Sequence, residues 1–213
     1  FFAFLAACIW AVVNIADKII ISRLTHEPAV PVLLMNSVGL LVAIGIFVFR
    51  GLPIFSPSLA GVAFVIGFFS LLPSYCYFSA AKEQEISRVV PLFQLASLFT
   101  PIIAFCTIGE VFSVKTYASI AMLVIGAFLI SSTQLFPLKI NRAFWFMVGA
   151  AFTYAVYGIF LKFSLQFWSF WDVFAVMRVG AFLLSIPLLL ACQKSFKLLV
   201  DQQGVKGVLI IAF

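Results

Sequence analysis

Apolar residues in this chain come in long runs of about twenty positions, interrupted by short clusters of charge, proline and glycine. Twenty residues of α-helix rise about 30 Å, the thickness of a bilayer's hydrocarbon core, so runs of this length predict membrane-crossing helices. Seven are expected: Phe1 to Ile21, Val30 to Phe49, Leu59 to Ala80, Ser87 to Thr107, Thr116 to Leu135, Phe144 to Phe163 and Val173 to Cys192. An eighth run begins near Val205. A membrane β-barrel would instead alternate apolar and polar positions over about ten residues, and the runs do not alternate. The breaks (THEP, RGLPIFSPS, AKEQEI, GEVFSVK, FPLKINRA, SLQFWSFW) are short, which predicts antiparallel neighbouring helices with no soluble domain between them.

Composition removes the competing classes. Of the 213 residues, 65% are hydrophobic and 9% charged, with 27 Phe and a mean hydropathy of +1.23. A soluble domain carries about 25% charged residues, so a soluble enzyme is excluded, as is intrinsic disorder. The net charge of +6 is spread along the chain without a basic block, which argues against a nucleic-acid partner. Cys8, Cys76, Cys106 and Cys192 lie within apolar runs with no CxxC or Cys/His pairing, so neither disulfides nor a zinc site are expected and the cysteines read as small core-filling residues. The chain opens on Phe1 and closes within an apolar run, and reads as a fragment. Its first run is too long for a signal peptide and lacks a small-residue cleavage site.

The runs are not independent of one another. Ala6-Ala7, Trp10, Asn14 and Lys18 of the first run find Ala150-Ala151, Tyr154, Gly158 and Lys162 at one constant offset in the sixth. Met35-Asn36 of the second run matches Met177-Arg178 of the seventh after a two-residue gap. If the unit is five helices, an odd number, its second copy starts from the opposite membrane face, the inverted arrangement of many secondary transporters.

These residues resemble the EamA family of the drug/metabolite transporter superfamily. The opening WAVVNIADK (Trp10 to Lys18) is similar to the first helix of that repeat. The stretch YFSAAKEQEISRVVPLFQLASLFTPIIAFCTIGEVFSVKTYASIAMLVIGAFLI carries the family's acidic turn, Ser-Arg-Val-Val-Pro-Leu, Pro101, Gly109-Glu110 and Gly126 in order and spacing. The resemblance implies an all-α integral membrane protein of inverted five-helix repeats, here a fragment of a ten-helix bundle. Residues 1–136 would form the first repeat, and residues 137–213 helices six and seven with the beginning of eight. Gly158 in place of Asn14, and Arg178 in place of Asn36, depart from strict repetition.

Polar residues inside the runs are the candidate substrate contacts, because each needs a partner or water at membrane depth. In the fourth run Ser87, Pro91, Gln94, Ser97 and Pro101 recur three or four apart, which predicts one polar, kinked face. Each proline frees a backbone carbonyl, so this face reads as a cavity wall or as small-residue packing with an interhelical hydrogen bond. Trp10, Asn14 and Lys18 share a face of the first run, where Asp17 and Lys18 read equally as interfacial anchors. Ser70, Ser74 and Tyr77 share a face of the third, and Tyr154 and Tyr157 lie in the sixth. Arg178 is the charge near the middle of a run; Asn14, Asn36, Gln94 or an anionic group on a substrate could satisfy it. The expected substrate contacts are therefore Trp10, Asn14, Asn36, Tyr77, Gln94, Ser97, Tyr154, Tyr157 and Arg178. Glu110 and Asp172 read as helix-start residues, and His26 lies in a loop.

No paired acids, HExxH or glycine-rich nucleotide loop is present, so neither an enzyme nor a cofactor is expected. The expectation is a multi-pass carrier of the plasma (inner) membrane, with the bilayer and a small polar or amphipathic metabolite as partners and a homodimer admitted. The alternative is a non-transporting helical assembly or signalling subunit. Lys and Arg are richer on the side opposite Phe1, which puts Phe1 outside by charge, whereas the family resemblance puts it inside.

Overall fold

The computed structural model describes residues 2–53, 57–131 and 141–191, and every regular element among them is helical. In chain order these are α1 (Phe2–Ile19), α2 (Ala29–Arg50), α3 (Pro57–Glu83), α4 (Ile86–Leu92), α5 (Ala96–Ile108), α6 (Val114–Ser131), α7 (Arg142–Ser164) and α8 (Phe170–Ala191). A π-helical turn, Ile20–Leu24, extends α1. Six stretches are long and apolar enough to cross a membrane, with α4 and α5 together forming one of them, and α6 contributes a shorter apolar stretch, Val114–Ile130. The expected ends at Leu135 and Cys192, and the run from Val205, lie outside the described residues.

Local chemistry sets the helix boundaries. The Asn141 side chain accepts the Phe144 N–H at 3.0 Å and so caps α7. Ser169 accepts the Asp172 N–H at 3.3 Å while its hydroxyl donates to the Asp172 carboxylate at 2.8 Å, which starts α8. Gly109, at φ 66°, takes the left-handed conformation that closes α5.

The fourth run departs from the expected single helix. After Pro91 the chain tightens into a 3-10 turn, Phe93–Leu95, before α5 resumes. A 3-10 turn advances about 120° per residue against about 100° for an α-helix, so three such residues rotate α5 by about 60° relative to α4. The proposed polar face is accordingly discontinuous: Ser87 and Gln94 are exposed, Ser97 is half-buried and Pro101 is buried.

Contacts fix the helix directions. Along α3, Leu59 and Ala63 pack with Val176, and Leu71 and Phe78 share a cluster with Leu184 and Leu188, so α3 and α8 run parallel. On α2, Phe47 lies by the start of α8, Gly39 by Arg178 and Val32 by its later turns, so α2 and α8 are antiparallel. Lys18 near the end of α1 meets the end of α3, whereas the start of α7 packs there and Phe160 stacks on Phe69 further back. Hence α1 and α7 also run in opposite directions.

Lipid is as apolar as leucine, so these helices associate through close packing rather than through the hydrophobic effect. The closest approach is between α3 and α8. A Cβ on Gly67 would lie 2.7 Å from the Ala181 nitrogen, and one on Gly180 would lie 2.9 Å from the Ala63 carbonyl oxygen. Only a hydrogen fits at either position. α3 is the hub, packing against α7 and α8 most extensively and against α2 and α1 besides. Cys8 and Cys106 are exposed and Cys76 half-buried, contrary to the core-filling expectation. The outer face of a membrane helix is as apolar as its core, so an apolar run does not predict burial; Cys192 lies outside the described residues.

Candidate functional site

Two polar groups are assembled within the bundle. The first joins α1 to α3. Most of α1 is exposed, but Asn14 and Asp17, with Ile21 in the following π-helical turn, are buried. The Tyr77 hydroxyl donates to Asn14 Oδ1 at 3.1 Å, and Asp17, 9% exposed, interacts electrostatically with the same tyrosine. Lys18 Nζ donates to the Ala81 and Gln84 carbonyls at 2.6 and 2.7 Å. Those carbonyls end α3, where the helix leaves acceptors unpaired and carries partial negative charge. Lys18 is thus neither a free interfacial anchor nor a cavity lysine: it caps α3.

The second group lies between α2, α7 and α8. The Tyr154 and Tyr157 rings sit 5.7 Å apart, and Tyr154 also meets Phe93, the neighbour of Gln94, with ring centroids 4.9 Å apart. Tyr157 packs on Ile66, Val173 and Met177 and is close enough to Arg178 for the two to interact electrostatically. The Arg178 guanidinium lies over the Phe174 ring, 4.9 Å from its centroid. A side chain on a helix leans toward the N-terminus, which carries an arginine over the residue one turn earlier. Its stem passes Gly39 so tightly that a Cβ there would lie 2.9 Å from Arg178 Cδ.

Asn36, one turn from Gly39 and 6% exposed, donates to the Val32 carbonyl at 2.8 Å on its own helix. That bond uses the Asn36 amide N–H; Arg178, which has only donors, could be met by Asn36 only through Oδ1. Tyr77 connects the two groups, since it packs with Phe93 around the cluster of Ala80, Val89, Leu92, Met147 and Ala150. Trp10 joins neither: it is 62% exposed on α1. Gln94 is exposed and Ser97 half-buried, one and four residues beyond Phe93.

Beyond the expected residues, the structure adds Asp17, Phe93, Phe174 and Gly39. The signal for Asp17 was present, since it is one turn from Asn14. Nothing in the sequence marks one phenylalanine among 27 as the platform for an arginine. Glu110, expected at a helix start, instead forms an ion pair with Lys162 just past the end of α5. Asp172 takes its expected helix-start place.

The model of the EamA-like transporter family matches residues 1–132. The chain belongs to the EamA-like transporter family. The match takes in α1 to α6, so the Asn14–Tyr77 pair, Asn36, Gln94 and Ser97 lie within the EamA unit, while Tyr154, Tyr157 and Arg178 lie beyond it. A search of the curated proteins finds no match. With the apolar helices described above, EamA membership makes this a multi-pass integral membrane protein of the drug/metabolite transporter type. EamA proteins are transporters rather than enzymes, and their membrane setting supplies the lipid contacts of the exposed apolar faces.

Proposed function

We propose that the protein moves a small polar or amphipathic metabolite across the plasma (inner) membrane by alternating access between two inverted repeats, the first spanning residues 1–136 and the second beginning at 137. The observation that carries the reading is the antiparallel crossing of α2 and α8. These two helices hold the register mates Asn36 and Arg178, and a two-fold axis in the membrane plane running between them would exchange one for the other. In inverted-repeat carriers the substrate sits at midplane on such an interface, lined by polar groups that the fold itself leaves available. Asn14, Tyr77, Gln94, Ser97, Tyr154, Tyr157 and Arg178 supply such groups here, with Trp10 and Asn36 at the periphery.

The test is flux. Proteoliposomes containing the full chain should accumulate at least one labelled member of a panel of amino acids, sugars, nucleosides and organic acids, and Arg178→Gln should cut that flux with little change in membrane abundance. Equal loss of flux and abundance would make Arg178 structural. Absence of flux for every member would return the protein to the non-transporting assembly class.

A further inference from the structure

Among the described residues, Arg178 is a cation without an anion. Neither α2 nor α7 contains an Asp or Glu, α3 carries one only at its last residue, Glu83, and α8 only at Asp172 in its first turn. Glu83 pairs with Arg142 at 3.8 Å, Asp172 is held by Ser169, Glu110 by Lys162, and Asp17 lies against Tyr77. Among the described residues none of these carboxylates reaches Arg178, and its Nε is a buried donor with no acceptor. The terminal nitrogens are not sealed in the same way, and the side chain as a whole is half-buried.

The surroundings hold this guanidinium in place without neutralising it. Gly39 gives room to the stem, Phe174 supports one face, and Tyr157, with Tyr154 beside it, packs on Met177, the residue before Arg178. A planar fork of donors, pre-set beside a phenol and aromatic faces, matches a carboxylate on a small apolar or aromatic body. A cationic ligand would be repelled, and a neutral one would leave the charge uncompensated at membrane depth.

We propose that the ligand recognised here is a small organic carboxylate, its anionic group gripped by Arg178 with Tyr157 as an additional donor and its body against Tyr154 and Phe174. The inference rests on the transport reading only in calling that ligand a substrate. Binding and flux are therefore measured separately.

The probes are shape-matched pairs that differ in charge: benzoate and benzamide, phenylacetate and phenylacetamide, hexanoate and hexanamide, with benzylamine as the cationic member. Titrated into purified protein in detergent, a carboxylate should bind about ten-fold or more tightly than its amide, the difference expected for charge-assisted hydrogen bonds. Arg178→Gln should abolish the preference, and Arg178→Lys, which keeps the charge but not the fork, should retain a weakened one. Should Arg178→Gln not fold, the matched pairs on the unaltered protein and Arg178→Lys carry the test. Equal binding of acid and amide, preference for benzylamine, an undiminished preference in Arg178→Gln, or no carboxylate binding at all would each overturn the proposal. Carboxylates that bind in this way but do not cross proteoliposomes would leave the anion site standing and sink the transport reading. Flux of sugars or nucleosides without carboxylate binding would do the reverse.

Discussion

Replacing Gly67 with alanine tests whether the α3/α8 crossing holds this bundle together. The new Cβ would lie 2.7 Å from the Ala181 nitrogen, 3.0 Å from the Gly180 carbonyl carbon and 3.2 Å from the Met177 oxygen. All three are backbone atoms, so no rotamer change relieves the clash. An ordinary contact begins at 3.4 Å, so the helix axes must separate by about 0.7 Å or more at this point, which also loosens Gly180 from Ala63. Overpacking of this kind costs about 1–3 kcal/mol, against which alanine's better helix propensity returns about 1 kcal/mol.

Gly61 and Gly45 provide the control, since a Cβ at either meets nothing within 4 Å. There the propensity gain stands alone, and alanine should be neutral or stabilising by up to about 1 kcal/mol. The assay is the midpoint of thermal aggregation in detergent, monitored by fluorescence-detected size exclusion, for Gly67→Ala, Gly180→Ala, Gly61→Ala and Gly45→Ala. The first two should melt below the unaltered protein and the last two at or above it. A Gly67→Ala protein as stable as Gly61→Ala would refute the claim that backbone contact at this crossing carries the packing.

Other contacts lead to further outcomes. Lys18→Met removes both donors to the Ala81 and Gln84 carbonyls and should cost about 1.5–3 kcal/mol, seen as faster amide exchange in the last turn of α3 with α2 unchanged. Tyr77→Phe should destabilise by about 1 kcal/mol, and in a double-mutant cycle with Asn14→Leu the two losses should not add. In a background without other cysteines, a cysteine at exposed Gln94 should react with a water-soluble thiol reagent faster than one at Phe93, which packs on Tyr154; equal, negligible labelling would place Gln94 against lipid or dry protein. Glu110→Gln should leave Lys162 without its ion-pair partner but, at a half-exposed site, shift the melting midpoint little.

The helices were legible because the bilayer sets their length and because some of their ends carry local stop and start signals. Asn141 before α7, Ser169 with Asp172 before α8 and Gly109 after α5 all work locally, within a turn of the position they define. The site was legible only in its members. Asn14 and Tyr77 both stood out as polar residues in apolar runs, yet their hydrogen bond joins residues 63 positions apart, and no local pattern encodes that pairing. Lys18 looked like an anchor because its acceptors are main-chain carbonyls of another helix, which leave no mark on the sequence. The 3-10 turn after Pro91 occupies only three residues, but its consequence is long-range: Gln94 is exposed, and the face that regular helical spacing had joined is split.

Four other cations among the described residues are treated differently from Arg178. Lys18 spends its charge on the end of α3, Lys162 on Glu110, Arg142 on Glu83 with Phe146 beneath it, and Arg50 lies over Trp171 at the end of α2. Each sits within a turn of a helix end, where water and headgroups are within reach of a long side chain. Arg178 lies in the middle of α8, and a guanidinium at such depth costs at least about 2.5 kcal/mol on insertion scales. A purely structural arginine would recover that cost through carboxylates or carbonyls of its own fold, as Lys18 does. Among the described residues the fold supplies an aromatic face, a glycine that makes room and a neighbouring phenol, none of which cancels a charge. Such an arrangement maintains a fixed positive site instead of consuming it, which is what binding an anion from outside the chain requires.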